Sequence, residues 1–558
     1  MKNRKIRILL IVLGCTALFI SAVSLGLNIT LKHFVADRLN RQLRELYSQT
    51  FHYGDIHFRP LRRIVIVTDL YFNSTIHDTL PRDTTGLEVS VKRLYIKYSG
   101  LTEIVRNKDV SVKHLSVIEP SLRCQFPFHA TPEGNTPLEH SVNAEMETTA
   151  YTLQYVARLN VDEVDIQNAR FEANQPDHPF YIQADSIDLR LHHLGFDFTT
   201  KKASYNDSTY LLSIRNIESL TPDGMFQLNA RHIETADAGR IYIRDIRARH
   251  IVPKKKLANL SGKIPAIWTD LQLDYIETSP LNIIRAVLNR QVALDTVFAG
   301  GRMMEVYEDQ RYKPRKPYNM PQEDMMRQNL PLDIHHVVFN MDRMDYTLAT
   351  TNINHGNLTL KNISVEASRI NNRPGNTMET ILCCDFPKGG SLDARLRLKM
   401  NKNSSFSADI RATGIQGREF DSFMRPLFGI TFQIAVDKVE SRIQGDRNTA
   451  HGDFTLLYHG LEVQAYPGES PYQIISKNAG AINFFSKGLL PKANPNLLTP
   501  DSKGLLPSEK VRSYDIAAKR DPMVMFQVYL IATLGDGIKK TLLPGLYISK
   551  KETTQKKK

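Results

Sequence analysis

Five segments of this chain place apolar residues at positions i, i+2, i+5 and i+7, and few regular backbones can accommodate that spacing. They are Val89, Val91, Leu94, Ile96; Val110, Val112, Leu115, Val117; Val164, Ile166, Ala169, Phe171; Ile241, Ile243, Ile246, Ala248; and Leu358, Leu360, Ile363, Val365. At about 100° per residue on a helix, the four positions fall near 0°, 200°, 140° and 340°, which is no single face. On a strand the first two share one face and the last two the other, so the apolar side switches midway. Two backbones reconcile that switch with a one-sided apolar surface. One is a β-bulge or kink that returns the second half to the same face and bends the strand. The other is a tight turn joining two short strands. Either gives a curved sheet whose concave side stays apolar. The copies are irregularly spaced, which argues against a solenoid or propeller, whose repeats keep a fixed period.

The rest of the chain beyond Phe51 has the texture of strands. Leu189–Phe198, Ser391–Met400, Ser405–Gly414, Gly429–Val436 and Gly452–Tyr466 alternate apolar and polar residues, as strands with one wet face do. Helical patterns are few: Thr102–Asn107, Thr148–Leu159, Pro280–Asn289 and the C-terminal segment. With 558 residues and 42% hydrophobic content, the chain has material for a real core and for several domains or one very elongated one.

The net charge of +13 suggests nucleic acid until it is located. Lys2, Arg4, Lys5 and Arg7 hold one cluster; Lys550, Lys551, Lys556, Lys557 and Lys558 hold another. Between them acids and bases interleave, a distribution that favours membrane headgroups over a nucleic-acid groove. Behind the first cluster runs Ile8–Leu31, free of charge. Its length of about 36 Å as a helix spans a bilayer core of roughly 30 Å. The preceding positive charges place the amino end in the cytoplasm and the body outside it. Two alternatives are a cleaved signal peptide with its site at Ala22–Ser24 and a lipidated Cys15 within Val12–Cys15. The apolar run continues past both, which favours the uncleaved anchor.

Catalytic signatures are missing from the sequence: no G-x-S-x-G, H-E-x-x-H, Walker loop, G-x-G-x-x-G or EF-hand loop occurs. Gly535–Thr541 (GDGIKKT) has the wrong glycine spacing for a phosphate loop and reads as a helix end. The pairs His192–His193 and His335–His336 sit in alternating stretches, so the members of each pair face opposite ways. The same holds for Cys383–Cys384, while Cys15 and Cys124 stand alone, so neither a disulfide framework nor a metal site is indicated. No catalytic residue, metal or cofactor is therefore expected. Three proline-bearing segments, Cys124–His140, Glu308–Gln328 and Lys487–Ser508, read as loops or linkers. They suggest an N-terminal part (1–50), three β-rich units (51–126, 141–307 and 329–486) and a C-terminal helical cap with a basic tail (509–558). Met523–Leu534, apolar but too short to span a membrane, reads as a core helix, an interfacial helix ahead of the basic tail, or an end cap, and the cap is preferred because an open sheet edge needs cover.

The segments Leu94–Phe126, His355–Ser368 and Ser405–Tyr466 together resemble the AsmA-like family of bacterial envelope proteins, related to TamB and to bridge-like lipid transfer proteins. Leu94–Phe126 looks like that family's strand, short helix and "v.v..l.v..P.l" unit, His355–Ser368 like its "G.l.l.nl" element, and Ser405–Tyr466 like its closing strands. The family is defined by pattern, so no single functional residue carries over. The resemblance implies a hydrophobic β-groove serving envelope lipid transport or outer-membrane homeostasis. The expected fold is mainly β with few short helices: a transmembrane helix followed by an elongated, curved antiparallel sheet groove. Val89, Val91, Leu94, Ile96, Val110, Val112, Leu115, Val117, Leu358 and Leu360 are the candidate groove lining. The expected location is the inner membrane, single-pass, with a periplasmic body. The expected partner is a phospholipid or other acyl-chain lipid, with other envelope proteins as further candidates and no nucleic acid. Against this stand a non-catalytic envelope scaffold or assembly factor with a dry core, and an anchored envelope hydrolase.

Overall fold

The computed structural model describes residues 50–59, 62–77, 84–99, 109–125, 158–175, 179–197, 202–204, 210–221, 224–236, 239–254, 267–281, 291–309, 317–328, 331–349, 355–466, 479–488, 490–494 and 511–542. They are mainly β and belong to two compact units, Met1–Ile243 and Arg244–Lys558. The expected anchor, the juxtamembrane helix, Cys15, the helix at Thr102–Asn107 and the basic tail lie outside the described residues. So does most of Thr148–Leu159, whose last two residues belong to a strand rather than to the expected helix. No helix among the described residues is long and apolar enough to cross a membrane.

The first unit is a ladder of β1 (Thr50–His52), β2 (Asp55–Arg59), β3 (Ile64–His77), β4 (Thr84–Tyr98), β5 (Asp109–Gln125), β6 (Arg158–Asn174), β7 (Tyr181–Asp197), β8 (Lys202–Ser204), β9 (Leu211–Leu220) and β10 (Phe226–Thr235). Short β1 and β2 both pair with β3, which leads through β4, β5, β6, β7 and β9 to β10; β8 adds to the end of β7. β11 (Ile241–His250) contains the division between the units.

All five copies of the i, i+2, i+5, i+7 spacing lie inside uninterrupted strands, which discards the tight-turn alternative. Their apolar step lengthens from two to three at polar residues; in three of the five copies the second of these residues (Asn168, Asp245, Asn362) is left-handed, and the same device recurs in neighbouring strands. In β3 the order is Val67, Thr68, Asp69 (φ 50°), Leu70; in β6 it is Ile166, Gln167, Asn168 (φ 53°), Ala169. Glu119 in β5, Ser186 and His193 in β7, Asn216 in β9 and Asp245 in β11 all have positive φ and directly precede the next apolar residue. A strand alternates faces with period two, so a step of three would turn the remaining side chains over; the left-handed residue restores them and bends the strand. Asn and Asp tolerate that conformation best, through local side-chain hydrogen bonding.

These bends line up across neighbouring strands. The β3–β4 register sets Asp69 opposite Lys92, and the β4–β5 register sets Lys92 opposite Glu119. Lys92 Nζ donates to both Glu119 oxygens at 2.8 and 2.9 Å. The β5–β6 register places Glu119 beside Asn168, whose backbone N–H donates to Asp188 Oδ1 at 2.7 Å. Exposed pairs of this kind contribute at most about 1 kcal/mol each, so their main effect is to hold the bends in register.

The second unit contains β12 (Ile267–Thr278), β13 (Val292–Asp309), α1 (Pro321–Met326), β14 (Leu332–Ala349), β15 (His355–Asn371), β16 (Thr377–Asp385), β17 (Ser391–Lys399), β18 (Phe406–Gln416), α2 (Asp421–Phe428), β19 (Ile430–Gly445), β20 (Thr449–Ala465), α3 (Ala479–Gly488), β21 (Ser513–Lys519) and α4 (Phe526–Leu542). Its strands pair in sequence order from β12 to β21. A bend row recurs here. Arg302 Nε lies 2.6 Å from Asp274 Oδ1, Arg302 is beside Asp342, Asp342 is opposite Asn362 (φ 49°), and Asn362 Nδ2 donates to Asp385 at 2.8 Å.

The sheet is not wholly antiparallel, contrary to expectation. β5–β6 and β13–β14 run parallel. Parallel neighbours cannot be joined by a hairpin and need a connection of about a dozen residues or more. Those connections are residues 126–157 and 310–331, which hold most of the first two proline-bearing segments. The same apolar pattern read in the same direction seats the strands in register: Val110, Val112, Leu115 and Val117 pair with Leu159, Val161, Val164 and Ile166. Part of Glu308–Gln328 is also helix rather than loop. Pro321 occupies the first turn of α1, where its missing N–H costs nothing, and Glu323 accepts the Met320 N–H at 3.1 Å.

The second unit has a dense core of Leu398, Phe406, Ile443, Phe454, Tyr458, Leu461, Ile516, Phe526 and Tyr529. Helix α4 approaches so closely that a Cβ on Gly537 would stand 2.2 Å from Phe454 Cγ. This glycine belongs to the GDGIKKT segment, which lies within α4. Around this core the last sheet edge is closed. β21 pairs with β20 from Thr449 to Thr455. Further along β20, Tyr458 exchanges backbone bonds with Asn494, Ser486 of α3 bonds the Val463 backbone, and Asn483 bonds that of Ala465. On β21, the Ala517 N–H donates to Asp536 Oδ2 at 3.1 Å and Lys540 Nζ donates to the Asp515 carbonyl at 2.8 Å, both from α4.

Valine at Asn168 or Asn216 should lower stability by about 1–2 kcal/mol in urea melts, because a β-branched residue resists positive φ. Glycine at the same positions should be nearly neutral. Equal losses for both substitutions would show that the side chain, not the backbone conformation, matters there.

Candidate functional site

The candidate site is the apolar side of the first unit, and it can be built row by row. Directly paired residues share a face. Val65, Ile96, Leu115, Val164 and Leu191 form one row across β3–β7; Val67, Leu94, Val117, Ile166, Leu189 and Leu212 form a second, reaching β9. Beyond the bends a third runs through Phe72, Val89, Leu122, Phe171, Ala184, Ile217 and Ala230, crossing seven strands. At about 4.8 Å between strands that row is roughly 29 Å wide. Seven residues of β6 separate it from the first row, or about 20 Å along a bent strand. The rows outline a footprint of roughly 500–600 Å², within which buried Val164, Ala184 and Ala230 are set among half-buried neighbours.

Little covers it. Among the described residues the first unit has no α-helix, and each strand packs chiefly on its ladder neighbours. Val91, Val112, Val161 and Val164 are buried between their flanking side chains, while Val89, Leu94, Ile96, Val110, Leu115 and Val117 are half-buried. Leu228, paired with Ser219 one step beyond the third row, is 44% exposed. The bends keep the polar residues Asp69, Lys92, Glu119 and Asn168 out of these rows.

The structure therefore brings eight of the ten sequence candidates together. Leu358 and Leu360 are elsewhere: they belong to the second unit and pack, with Leu392, Phe420 and Val436, against buried Phe386, Ala412 and Ile415. Helix α2 lies over the same strand, its Leu427 within 2.6 Å of where a Cβ on Gly356 would sit. Sequence reading missed Pro120, Leu122 and the whole β7 contribution. The available signal was the doubled step of three in Ala184, Ile187, Leu189, Leu191, Leu194, which places Ser186 and His193 at the bends.

The other chemistry-bearing residues are dispersed. His335 Nδ1 lies 3.1 Å from Asp295 Oδ1, His193 occupies a bend, and no group of His, Cys, Asp and Glu among the described residues could hold a metal ion. Cys384 is buried and Cys383 only partly so. Cys124 is buried on the apolar side, paired with Leu87 and Ala173. No protein-family model and no curated protein matches this sequence.

Burial raises the Cys124 thiol above its ordinary range and pushes Cys384 up to about 11. Raised values deplete the reactive thiolate near neutral pH, and depletion eases only as pH climbs. Alkylation of native protein at pH 8 should be slow at Cys384, and its rate should still be rising above pH 10. A plateau below pH 9 would contradict the burial described.

Proposed function

We propose that this chain is a membrane-anchored periplasmic protein of the AsmA-like type, whose curved β-groove binds phospholipid acyl chains for transport and outer-membrane homeostasis. The observation that carries this reading is the apolar face of the first unit, up to seven strands wide, which no helix among the described residues covers. Each methylene moved from water onto such a face gains about 0.8 kcal/mol, so ten methylenes give roughly 8 kcal/mol before ordering costs. Contacts of this kind have no preferred direction along the rows. A chain can slide from one valine or leucine to the next without meeting a polar barrier, because the bends keep charged side chains outside. The mechanism is partition and diffusion, and it requires no catalytic residue. The uncharged run Ile8–Leu31 and the positive charges before it support an inner-membrane anchor with the body on the periplasmic side.

A second reading is favoured by the core of the second unit, where α2 and α4 cover apolar strand faces. There the protein resembles a dry, packed scaffold, and the alternative is an envelope assembly factor that carries no lipid.

Mass spectrometry of the purified full-length chain separates the two. Groove function predicts co-purifying phospholipid, reduced at least about tenfold by Ile96→Glu or Val117→Glu, since a carboxylate on an apolar face opposes acyl contact. Both residues are half-buried, so the variants should melt close to the parent. A lipid-free parent, or global unfolding of both variants, would support the scaffold.

A further inference from the structure

The outer side of the first unit, opposite the apolar rows, is largely a lattice of cross-strand ion pairs. Arg123 reaches Glu88 and Glu172 at 3.3 and 3.1 Å, Arg158 reaches Asp197 at 3.4 Å, and Lys92 holds Glu119. Some places depart from this pattern. A depression crosses β2 to β5, lined by His57, Arg59, Arg93, Tyr95, His114 and Ser116 among others. Arg59 and Arg93 have no acidic partner among the described residues, nor has Lys97, the cross-strand neighbour of His114. The nearby carboxylates are already engaged. Asp55 lies 3.1 Å from His57 Nε2, Glu163 lies 3.0 Å from His114 Nδ1 and 3.7 Å from Arg190, and Asp165, the β6 neighbour of Ser116, accepts from Gln167 Nε2 at 2.5 Å and lies 3.7 Å from Arg190.

Register fixes how these groups are arranged. His57, Ile66, Tyr95 and Ser116 pair successively and form a central row. On one side of it run Arg59, Ile64, Lys97 and His114; on the other run Asp55, Thr68, Arg93 and Ile118. The two arginines thus stand on opposite sides of a floor carrying the Tyr95 and Ser116 hydroxyls, with their backbones roughly 13 Å apart along the strand direction. Guanidinium groups without carboxylate partners, lining one depression with hydroxyl donors, suit an oxygen-rich dianion or monoanion that accepts paired N–H donors.

We infer that this depression binds a phosphate-type oxyanion between Arg59 and Arg93, above the Tyr95 and Ser116 hydroxyls. That chemistry is common to free phosphate and to the headgroup of a phospholipid, and the site is independent of the apolar rows on the other side of the sheet.

The full-length chain, held in a nonionic detergent, is titrated by calorimetry with inorganic phosphate and, separately, with the water-soluble headgroups glycerophosphoglycerol and glycerophosphocholine. The comparison set is the double variant Arg59→Gln/Arg93→Gln, the single variant Arg93→Lys, and Arg170→Gln. Arg170 is an exposed arginine of β6 that also has no acidic partner among the described residues. Saturable phosphate binding, weakened about tenfold or more in the double variant and unchanged in Arg170→Gln, establishes a site for the free oxyanion. Binding of glycerophosphoglycerol but of neither glycerophosphocholine nor inorganic phosphate, lost in the double variant, establishes the headgroup as the source. Intermediate loss in Arg93→Lys reads the guanidinium geometry should the double variant melt early. Absence of both binding modes, or equal weakening by Arg170→Gln, overturns the site.

Discussion

The structure depends on one backbone constraint: a strand that must keep its apolar side chains on one face while bending cannot alternate perfectly. Each step of three resolves that conflict by adding a residue. Where that residue takes positive φ, its left-handed conformation costs about 1–2 kcal/mol for an ordinary side chain. The chain repeatedly fills such positions with Asp, Asn, Ser, His, Glu or Arg, never with a β-branched residue among the described strands. Because Asp69, Lys92, Glu119 and Asn168 are neighbours, the bends act together. A strand that slipped by one residue would lose both its apolar face and its place in the bend row. Two separate penalties therefore enforce the same register.

Much of this was legible in the sequence, and particular residues explain how much. Val164, Ile166, Ala169 and Phe171 have a spacing that excludes a helix and requires a bend in a strand. The chain could not say where the strand's partners were. Hairpin neighbours are the default for alternating stretches, so the parallel junctions at β5–β6 and β13–β14 were invisible until the offset between Val110–Val117 and Leu159–Ile166 was known. Local spacing also does not reveal what lies above a face. Leu358 and Leu360 carry the same signature as Val110 and Val112, yet α2 and Phe386 pack near them. That packing arises from residues some thirty to seventy positions further along, beyond the reach of any window.

The two units treat their apolar surface differently. In the first, side chains are half-shielded by their neighbours along the rows, and no described helix contributes. In the second, α4 needs the bare surface of Gly537 to approach Phe454, and residues such as Tyr458 and Leu461 are almost wholly enclosed. Stability in a chain of this kind is accordingly uneven. A dense core and a thin, exposed ladder need not open together.

The closure around β20 and β21 has a temporal side. β20 ends at Ala465, while α3, β21 and α4 all follow it, the last ending at Leu542. At synthesis rates of about 5–20 residues per second, β20 emerges roughly 4–15 s before the helix that completes the seal. Within that interval, until α3, Asn494 and β21 follow in turn, its outer backbone groups lack the partners they have in the finished fold and are competent to pair with any extended segment nearby. The interval in which this protein is most exposed to mispairing is therefore set by the order of its segments, and a helper that shields extended backbone during that interval would protect it even though the finished fold offers such a helper nothing at that edge.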